Sequence, residues 1–358
     1  MNVYKNVIAD VNGCDVVSIE EGEHQNRVNF GDLLFTQSSE TLEEVGLTSV
    51  WLNDDTPLLN SFCFGFHFDS SSLINPRFAA YSMRTPYARK RITREGQGAT
   101  RYNLSSNRLK KVKILYPSHS EQDKIAGLLS LLETRIEKQC EIIDQFKKYK
   151  RGVIQHIFRR SHGQTESQQW QQVRLGDIFK KVSRRNTDGK IKNVITNSAE
   201  YGLIPQRDFF DKDIAIEGNT ENYYVIENGD FVYNPRKSIT APYGPFNRYT
   251  LKDQGIISPL YTCLVLKVNI NPSYLAWYFK SDAWHRYIYD NGSQGVRHDR
   301  VSMTDDLLMG IPVIFPDRTT QDSIANALDL VENRLHLAQN KMDLLNMTRK
   351  GFMQQLFI

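Results

Sequence analysis

The 358-residue sequence contains few cysteines and no long apolar run, and each shortage excludes a class of protein. Its 4 cysteines, Cys14, Cys63, Cys140 and Cys263, lie far apart and form no CxxC pair, so neither a zinc knuckle nor a disulfide framework is predicted. No stretch reaches the roughly 18 consecutive apolar residues of a membrane helix, and the opening MNVYKNVIAD lacks the apolar core of a signal peptide. We therefore expect a reduced, cytoplasmic protein without a membrane partner.

Motifs that would indicate catalysis are also missing. The sequence contains no GxxxxGK[ST] phosphate-binding loop, no HExxH and no Cys/His set at zinc spacing. The tetrad at 234–237, Asn-Pro-Arg-Lys, begins like the NPP-aromatic tetrad of adenine methyltransferases but lacks the second proline and the aromatic residue. Acidic residues near Phe209 have no lysine partner in a strand, which a metal nuclease would need. We predict no catalytic residue, no metal site and no enzyme activity for this chain.

Basic and acidic residues nearly balance over the whole chain, but basic residues are concentrated in one segment. The formal net charge is +4, so composition alone does not predict nucleic-acid binding. Residues 84–101, however, read RTPYARKRITREGQGATR, with Glu95 as their single acidic residue. Basic, aromatic and amide side chains beside a glycine-rich loop suit contacts with phosphates and base edges. The alternative is a solvated helix face followed by a loop.

The strongest regularity is a repeated segment. Adding 199 to each position aligns residues 117–158 with residues 316–357 without a gap. Identical residues occupy both copies at Pro117, Gln122, Asp123, Ile125, Ala126, Leu129, Leu131, Glu133, Arg135, Asp144, Gly152, Gln155 and Phe158. Helix-start signals open both copies, with Ser120 and Asp123 in a capping-box arrangement that Thr319 and Asp322 repeat.

Apolar residues in both copies follow the alternating steps of four and three that are typical of a coiled coil. Lys150 and Arg349 interrupt the two patterns at equivalent places, and Gln139 interrupts the first alone. The residues predicted to pack are Ile125, Leu129, Leu132, Ile136, Ile143, Phe146, Ile324, Leu328, Val331, Leu335, Met342 and Leu345. We expect two long helices that pack on each other, and two separate helices on separate domains are the alternative.

The repeat extends into the globular parts of the chain. A Gly-Asp pair precedes a predicted strand at Gly31 and again at Gly229, and later strand, helix and loop patterns recur in the same order. The polar stretch 159–169 indicates a linker. The predicted domains are therefore a first globular domain at 1–115, a spacer helix at 116–158, that linker, a second globular domain at 170–315 and a C-terminal spacer helix at 316–358.

This arrangement resembles the specificity subunit of type I restriction–modification systems, the HsdS family. The residues that carry the resemblance are the P-x(4)-Q-x(2)-I-A starts at Pro117 and Pro316, the W-x(4)-LGD opening at Trp170, the Gly-Asp pairs at Gly31 and Gly229, and the basic-Gly endings at Gly152 and Gly351. The resemblance implies an α+β fold: two globular α/β target recognition domains joined by two long antiparallel coiled-coil helices with pseudo-two-fold symmetry.

The resemblance also implies the function and the partners. Each recognition domain would read one half of a bipartite site in double-stranded DNA. The helices would set the distance between the halves and dock two methyltransferase (modification) subunits, and through them restriction/translocase subunits. S-adenosylmethionine, ATP and Mg would be bound by those partner subunits and no cofactor by this chain, which would be a non-catalytic subunit.

Candidate DNA-binding residues were chosen by type and by position in a loop, because arginine suits guanine edges and phosphates and glutamine suits adenine. In the first domain they are Arg84, Arg91, Gln97, Arg101 and Tyr102. In the second they are Arg184, Arg185, Arg236, Lys237, Gln294, Arg297 and His298.

One departure from the family pattern concerns the first domain. Gly229 lies 59 positions after Trp170, whereas only 30 residues precede Gly31, and no W-x(4)-LGD opening is among them. We expect a first recognition domain that is shortened at its N-terminus, and three explanations stay open: a truncated sequence, a late start codon and a domain that is itself shorter.

Two other functions compete with the specificity subunit. A stand-alone DNA methyltransferase or nuclease predicts methyl-donor binding or metal-dependent cleavage by the isolated chain. A protein-only coiled-coil scaffold predicts no DNA affinity and leaves the basic loops unexplained.

Overall fold

A computed structural model of the chain describes residues 2–18, 20, 25–69, 72–160, 170–209, 220–292 and 299–357. The helices of this part are α1 (Asn2–Lys5), α2 (Pro76–Met83), α3 (Pro86–Glu95), α4 (Ser106–Leu109), α5 (His119–Arg160), α6 (Leu175–Ile178), α7 (Gln206–Phe209), α8 (Pro272–Phe279), α9 (His285–Asn291), α10 (Asp305–Met309) and α11 (Arg318–Gln355). The strands are β1 (Leu33–Thr36), β2 (Ser38–Ser39), β3 (Thr48–Val50), β4 (Cys63–Phe66), β5 (Tyr102–Asn103), β6 (Gln171–Arg174), β7 (Phe179–Val182), β8 (Ile195–Ser198), β9 (Gly202–Pro205), β10 (Tyr224–Ile226), β11 (Phe231–Tyr233), β12 (Phe246–Arg248), β13 (Gly255–Ile257), β14 (Thr262–Leu266) and β15 (Pro312–Phe315).

The chain divides into two compact units, each of which takes a part of both long helices. The first unit comprises Met1–Ile142 and Ala338–Ile358, and the second comprises Ile143–Leu337. The prediction from the sequence separates globular domains from spacer helices, whereas each compact unit combines globular residues with parts of both helices. The predicted domain boundaries therefore stay predictions.

The first unit is built on a three-stranded antiparallel sheet in the order β3-β1-β4. Leu33 of β1 stands opposite Val50 of β3 on one side and Phe66 of β4 on the other. Helices α2 and α3 cover this sheet, and Phe35, Ala80 and Ile92 are buried between the layers. A second, two-stranded sheet pairs β2 with β5.

The second unit has a four-stranded antiparallel sheet in the order β12-β11-β14-β7, and separate two-stranded sheets β15-β6, β10-β13 and β8-β9. Its core is rich in aromatic side chains, and the rings of Phe246 and Phe279 stack with centroids 3.9 Å apart. Strands β11, β12 and β14 correspond to β1, β3 and β4 of the first unit when 198 is added to the residue numbers. The sheets therefore repeat along with the helices.

Within the first unit the start of α5 packs against the end of α11. Ile125 and Leu129 of α5 share a core cluster with Phe352 and Leu356 of α11. The buried Gln139 donates through Nε2 to the carbonyl oxygen of Ala338 at 2.9 Å. Because early residues of one helix meet late residues of the other, the two helix segments are antiparallel.

The second unit contains the complementary contacts. Ile154 and Phe158 near the end of α5 lie in one core cluster with Ala325 and Leu328 near the start of α11. The predicted α+β fold class with two long antiparallel helices is thus confirmed. The alternative of two separate helices is wrong, because α5 and α11 contact each other inside each unit.

Both cations that interrupt the apolar spacing are paired with carboxylates on the opposite helix. Lys150 Nζ lies 2.7 Å from Glu332 Oε2 in the second unit, and Arg349 Nη1 lies 3.7 Å from Glu133 Oε1 in the first. Adding 199 to Glu133 and to Lys150 gives Glu332 and Arg349, so the two pairs are equivalent. Each predicted packing residue of the two helices is buried or half-buried.

The glutamine that both helix starts share anchors each long helix to a neighbouring helix. The Gln122 amide donates to the carbonyls of Leu73 and Pro117, each at 3.0 Å, and accepts from the Asn75 backbone N–H at 2.9 Å. Asn75 in turn caps α2 by accepting from the Phe78 N–H. Gln321, Asn271 and Pro316 repeat this arrangement at the start of α11.

The capping box predicted at these starts is replaced by other contacts. Helix α5 begins at His119, ahead of Ser120, and the Asp123 carboxylate accepts from the Asn75 side-chain amide at 2.7 Å. In the second copy Asp317 accepts from the Thr320 N–H, while Asp322 accepts from Asn271. The capping-box prediction failed because local spacing does not show that a carboxylate has a partner in another helix.

Replacing Gln122 by alanine should lower the free energy of unfolding by about 1–3 kcal/mol, because buried polar groups would lose their partner. The Gln145→Ala substitution makes the same chemical change at an exposed position of α5 and serves as the control. It should change the stability by less than about 0.5 kcal/mol. Urea unfolding followed by circular dichroism compares the two variants, and equal losses would contradict the anchoring role of Gln122.

Candidate nucleic-acid interface

The basic segment of the first unit folds into α3 and the loop that leads to β5. Thr85 caps α3 by accepting from the Ala88 N–H, and Pro86 occupies the first turn, where a missing N–H costs nothing. On this helix the Arg91 guanidinium lies 3.5 Å from the ring centroid of Tyr87. A four-residue separation places both side chains on one face, and Tyr87 is 36% exposed.

Arg84 is held inside the first unit. Its guanidinium donates to the backbone carbonyls of Thr48 at 2.6 Å, Asn6 at 2.8 Å and Val3 at 2.9 Å. Burial lowers the pKa of Arg84 to about 10. These contacts join three chain segments, so the structure gives Arg84 an internal role that its residue type did not indicate.

Arg89 in the same segment is also directed inward. It donates to the carbonyls of Gly46 at 2.7 Å and Glu43 at 2.9 Å, and burial lowers its pKa to about 10. The exposed cations of the segment are therefore fewer than the sequence indicates. They are Lys90, Arg94 and Arg101, with Arg91 half-buried.

The loop between α3 and β5 brings three of the predicted residues together. The backbones of Gln97 and Asn103 exchange hydrogen bonds of 2.9 and 2.7 Å, which close the loop. Gly98 has a φ of 134°, and a Cβ there would lie 2.0 Å from the Arg101 carbonyl oxygen. Gln97 and Arg101 are exposed on this loop, whereas Tyr102 is half-buried against the core.

In the second unit Arg184 is paired with the Gly-Asp turn. Its guanidinium contacts the Asp230 carboxylate and lies 3.2 Å from Glu227. Asp230 also accepts from the Glu227 N–H at 2.9 Å, and burial raises the pKa of this carboxyl group. Arg185 is exposed, and its nearest polar partner is the Asn222 side chain at 3.2 Å.

The Gly-Asp pairs are structural in both units. Gly31 and Gly229 have φ values of 86° and 98°, which glycine adopts without strain. The Asp32 carboxylate accepts from the Asn29 N–H at 2.8 Å, just as Asp230 accepts from Glu227. This motif therefore builds a turn before a core strand in each unit.

Arg236 and Lys237 lie on an exposed loop between β11 and β12. Arg236 Nε is 3.7 Å from Asp299 Oδ2, and the Lys237 N–H donates to the Asp299 carbonyl at 2.8 Å. Gly244 closes the loop with a φ of 86°, where a Cβ would lie 2.0 Å from the Asn234 carbonyl oxygen. The Arg236 backbone also bridges to Arg300.

Gln294, Arg297 and His298 lie outside the described residues. The described chain resumes at Asp299, directly beside Arg236. The predicted DNA-binding set did not include Arg300 or Tyr87, although the i, i+4 spacing of Tyr87 and Arg91 indicates a stacked pair on a helix.

Among the residues that the structure describes, no group of three or more His, Cys, Asp or Glu side chains could hold a metal ion. No helix in this part of the chain is long and apolar enough to cross a membrane.

Comparison with known proteins gives matches that agree with one another. Residues 5–147 match the family model of the type I restriction modification DNA specificity domain. A Methanocaldococcus jannaschii protein, named for the MjaX type I restriction enzyme specificity subunit, is 22% identical over 92% of this chain and 78% of its own length.

Two solved structures share the fold. The crystal structure of the type I restriction–modification S subunit from M. genitalium matches with a TM-score of 0.54 and 16% identity, over 94% of this chain and 84% of that one. A chain solved in work on complex assembly and conformational transition of the type I R-M system matches with a TM-score of 0.57 and 14% identity, at the same coverages. The resemblance seen in the sequence is thereby confirmed: residues 5–147 match the type I restriction modification DNA specificity domain, and the relatives matched over most of the chain are type I specificity subunits.

Proposed function

We propose that this specificity subunit reads a bipartite site in double-stranded DNA, with one recognition domain for each half-site. The observation that carries the proposal is the duplication of a whole functional module. Each copy contains the start of a long helix and a sheet preceded by a Gly-Asp turn. Each unit also has cationic side chains on a loop that a glycine closes, between α3 and β5 in the first unit and between β11 and β12 in the second. Two similar readers on one chain are what a two-part site requires, as paired readers are in dimeric DNA-binding proteins.

The contacts with DNA are assigned to the predicted set without Arg84 and Arg184. They are Arg91, Gln97, Arg101 and Tyr102 in the first domain, and Arg185, Arg236, Lys237, Gln294, Arg297 and His298 in the second. Arg84 is removed because backbone carbonyls occupy its guanidinium. Arg184 is removed because two carboxylates neutralise its charge. The predicted domains, 1–115 and 170–315, contain all these residues.

Partner subunits are proposed to dock on the long helices. Helix α11 exposes Leu330, Leu337 and Leu344 at steps of seven residues, with exposed fractions of 55%, 66% and 64%. Residues seven apart form one stripe on a helix, and an exposed apolar stripe marks a protein contact site. Helix α5 exposes Leu128, Ile142 and Tyr149 at steps of 14 and seven.

The chemistry of the complex is assigned to those partners. Two methyltransferase subunits would carry S-adenosylmethionine and methylate adenine, and restriction/translocase subunits would carry ATP and Mg. This chain would then act without a cofactor of its own. Methyl-donor binding or DNA cleavage by the isolated chain would instead support a stand-alone enzyme.

The Arg101→Ala substitution should weaken binding of the assembled methyltransferase to its DNA roughly 5- to 150-fold, because one base-edge contact contributes about 1–3 kcal/mol. The Arg84→Ala substitution should instead lower the stability of the chain, because buried carbonyls lose their donor. Electrophoretic mobility shift and thermal melting of both variants separate the two roles. Loss of DNA affinity by Arg84→Ala at unchanged stability would contradict the assignment.

Methylome sequencing of a host that expresses this chain with its methyltransferase partner should give a bipartite motif of methylated adenine. Inserting one helical turn into both α5 and α11 should change the number of unspecified bases between the half-sites and leave the half-sites themselves unchanged. A continuous motif, or half-sites that change with the insertion, would contradict two separate readers joined by spacer helices.

The Leu337→Asp substitution should abolish co-purification of the methyltransferase subunits, because a carboxylate would enter an apolar contact without a partner. Asn340→Asp introduces the same charge on an exposed position of the same helix and should leave co-purification unchanged. Size-exclusion chromatography of the co-expressed complex compares the variants. Assembly that survives Leu337→Asp would exclude this stripe as the docking surface.

A further inference from the structure

A tight turn in front of β4 holds one apolar side chain in solvent. The Asn60 side chain accepts from the Phe62 N–H at 2.8 Å, and the Asn60 carbonyl accepts from the Cys63 N–H at 2.9 Å. The Phe62 carbonyl accepts from the Gln37 N–H at 2.8 Å. The backbone of Phe62 is therefore fixed through both its N–H and its carbonyl, although the residue is 62% exposed.

The second unit repeats this turn in front of β14. Adding 198 to Asn60 and Phe62 gives Ser258 and Leu260. The Ser258 hydroxyl accepts from the Leu260 N–H at 3.3 Å, and Pro259 between them has the fixed φ that favours a tight turn. Leu260 is 61% exposed. Both units thus present an apolar side chain at equivalent positions, held by the same local hydrogen bond.

The repetition of this exposed apolar residue is what requires an explanation. A single exposed apolar side chain is ordinary on a protein surface. Phe30 is such a case, because it is 59% exposed and adding 198 gives the polar Asn228. Phe62 and Leu260 instead keep both their exposure and their apolar character in the two units. We therefore expect them to contact the same kind of ligand.

Phe62 lies beside the cationic loop of the first unit. The guanidinium carbon of Arg101 is 5.9 Å from the centroid of the Phe62 ring, and both side chains are exposed. The Gln37 carbonyl accepts from the Leu104 N–H at 2.8 Å, so the residue that holds the Phe62 carbonyl also holds the chain that follows β5. An apolar ring and a guanidinium are thereby presented side by side.

Leu260 lies beside the cationic loop of the second unit. It lines a cavity of about 250 Å³ together with Pro235 and Val301. The Val301 N–H donates to the Pro235 carbonyl at 2.9 Å, and these two residues directly precede Arg236 and follow Arg300 in the chain. The second unit therefore also places an apolar side chain close to the backbone that carries its arginines.

The chemistry of DNA narrows what an apolar side chain beside an arginine can contact. Arginine binds phosphates or the O6 and N7 atoms of guanine in the major groove, and all of these are polar groups. The apolar group that base edges present in the major groove is the C5-methyl of thymine. An apolar wedge between base pairs is a minor-groove device. A side chain that enters the major groove next to an arginine is therefore suited to the thymine methyl.

We propose that Phe62 and Leu260 each contact the C5-methyl group of a thymine in the half-site that their own unit reads. They are then specificity-determining residues that the predicted set does not contain. This inference rests on the proposed reading of DNA, to which it adds the base that the two apolar side chains select.

The test replaces thymine by deoxyuridine, which removes only the methyl group. Fluorescence anisotropy measures how the complex of this chain with its methyltransferase subunits binds duplexes that carry the bipartite motif, with one deoxyuridine at a time. One replacement in each half-site should weaken binding roughly fourfold, the effect of one buried methyl-sized group. Phe62→Ala should remove this response in one half-site and Leu260→Ala in the other, because groups in contact are not additive.

A matched control is available in the first unit. Phe30→Ala removes the same ring from a position of similar exposure, and the response to deoxyuridine should then stay fourfold in both half-sites. Loss of the response in Phe30→Ala as well would overturn the assignment to Phe62.

Other results would identify a different role for the turn. If Phe62→Ala weakens binding equally on thymine and deoxyuridine duplexes, the ring acts as a wedge and the proposal is overturned. Unchanged binding by Phe62→Ala, or loss of the methyltransferase subunits from the complex, would overturn it too, the second because the turn would then dock a protein. Failure of the unsubstituted complex to bind a bipartite site would instead refute the proposed function, and this inference with it.

Discussion

A buried glutamine at the start of each long helix holds that helix to its globular part. Polar groups in a protein interior require partners. The amides of Gln122 and Gln321 each donate to the carbonyl of the proline that precedes the long helix and accept from the N–H of a neighbouring helix cap. The cap residues Asn75 and Asn271 then fix α2 and α8, on which the sheets rest. Inside each unit, the position of the neighbouring helix relative to the long helix depends on one of these two side chains.

The contacts between α5 and α11 specify how the two helices align. Apolar residues at steps of four and three would tolerate a shift of one heptad, because each heptad looks much like the next. The Lys150–Glu332 and Arg349–Glu133 pairs and the Gln139 amide do not tolerate it, since a shift would leave partly buried polar groups without partners. The polar residues that interrupt the apolar pattern thus select one alignment of α5 with α11.

The sequence predicted the features that repeat, and it failed where partners are distant in the chain. The gap-free offset and the apolar spacing were sufficient for two long helices, because their contacts recur with the heptad. Residue type was not sufficient for Arg84, whose guanidinium could bind either a phosphate or carbonyls as distant as Val3. Asp123 was assigned to a local cap for the same reason, although its partner Asn75 lies in another helix.

Gly98 and Gly244 close the two exposed loops at points where any side chain would collide with a carbonyl oxygen. Other residues of these loops, such as Arg101 and Lys237, already carry side chains and are not restricted to glycine in this way. Mutation can therefore alter the tips without refolding the loops, provided that the two glycines persist. On the proposed reading of DNA by these loops, such a chain can acquire new sequence preferences by point mutation while the rest of its structure drifts slowly.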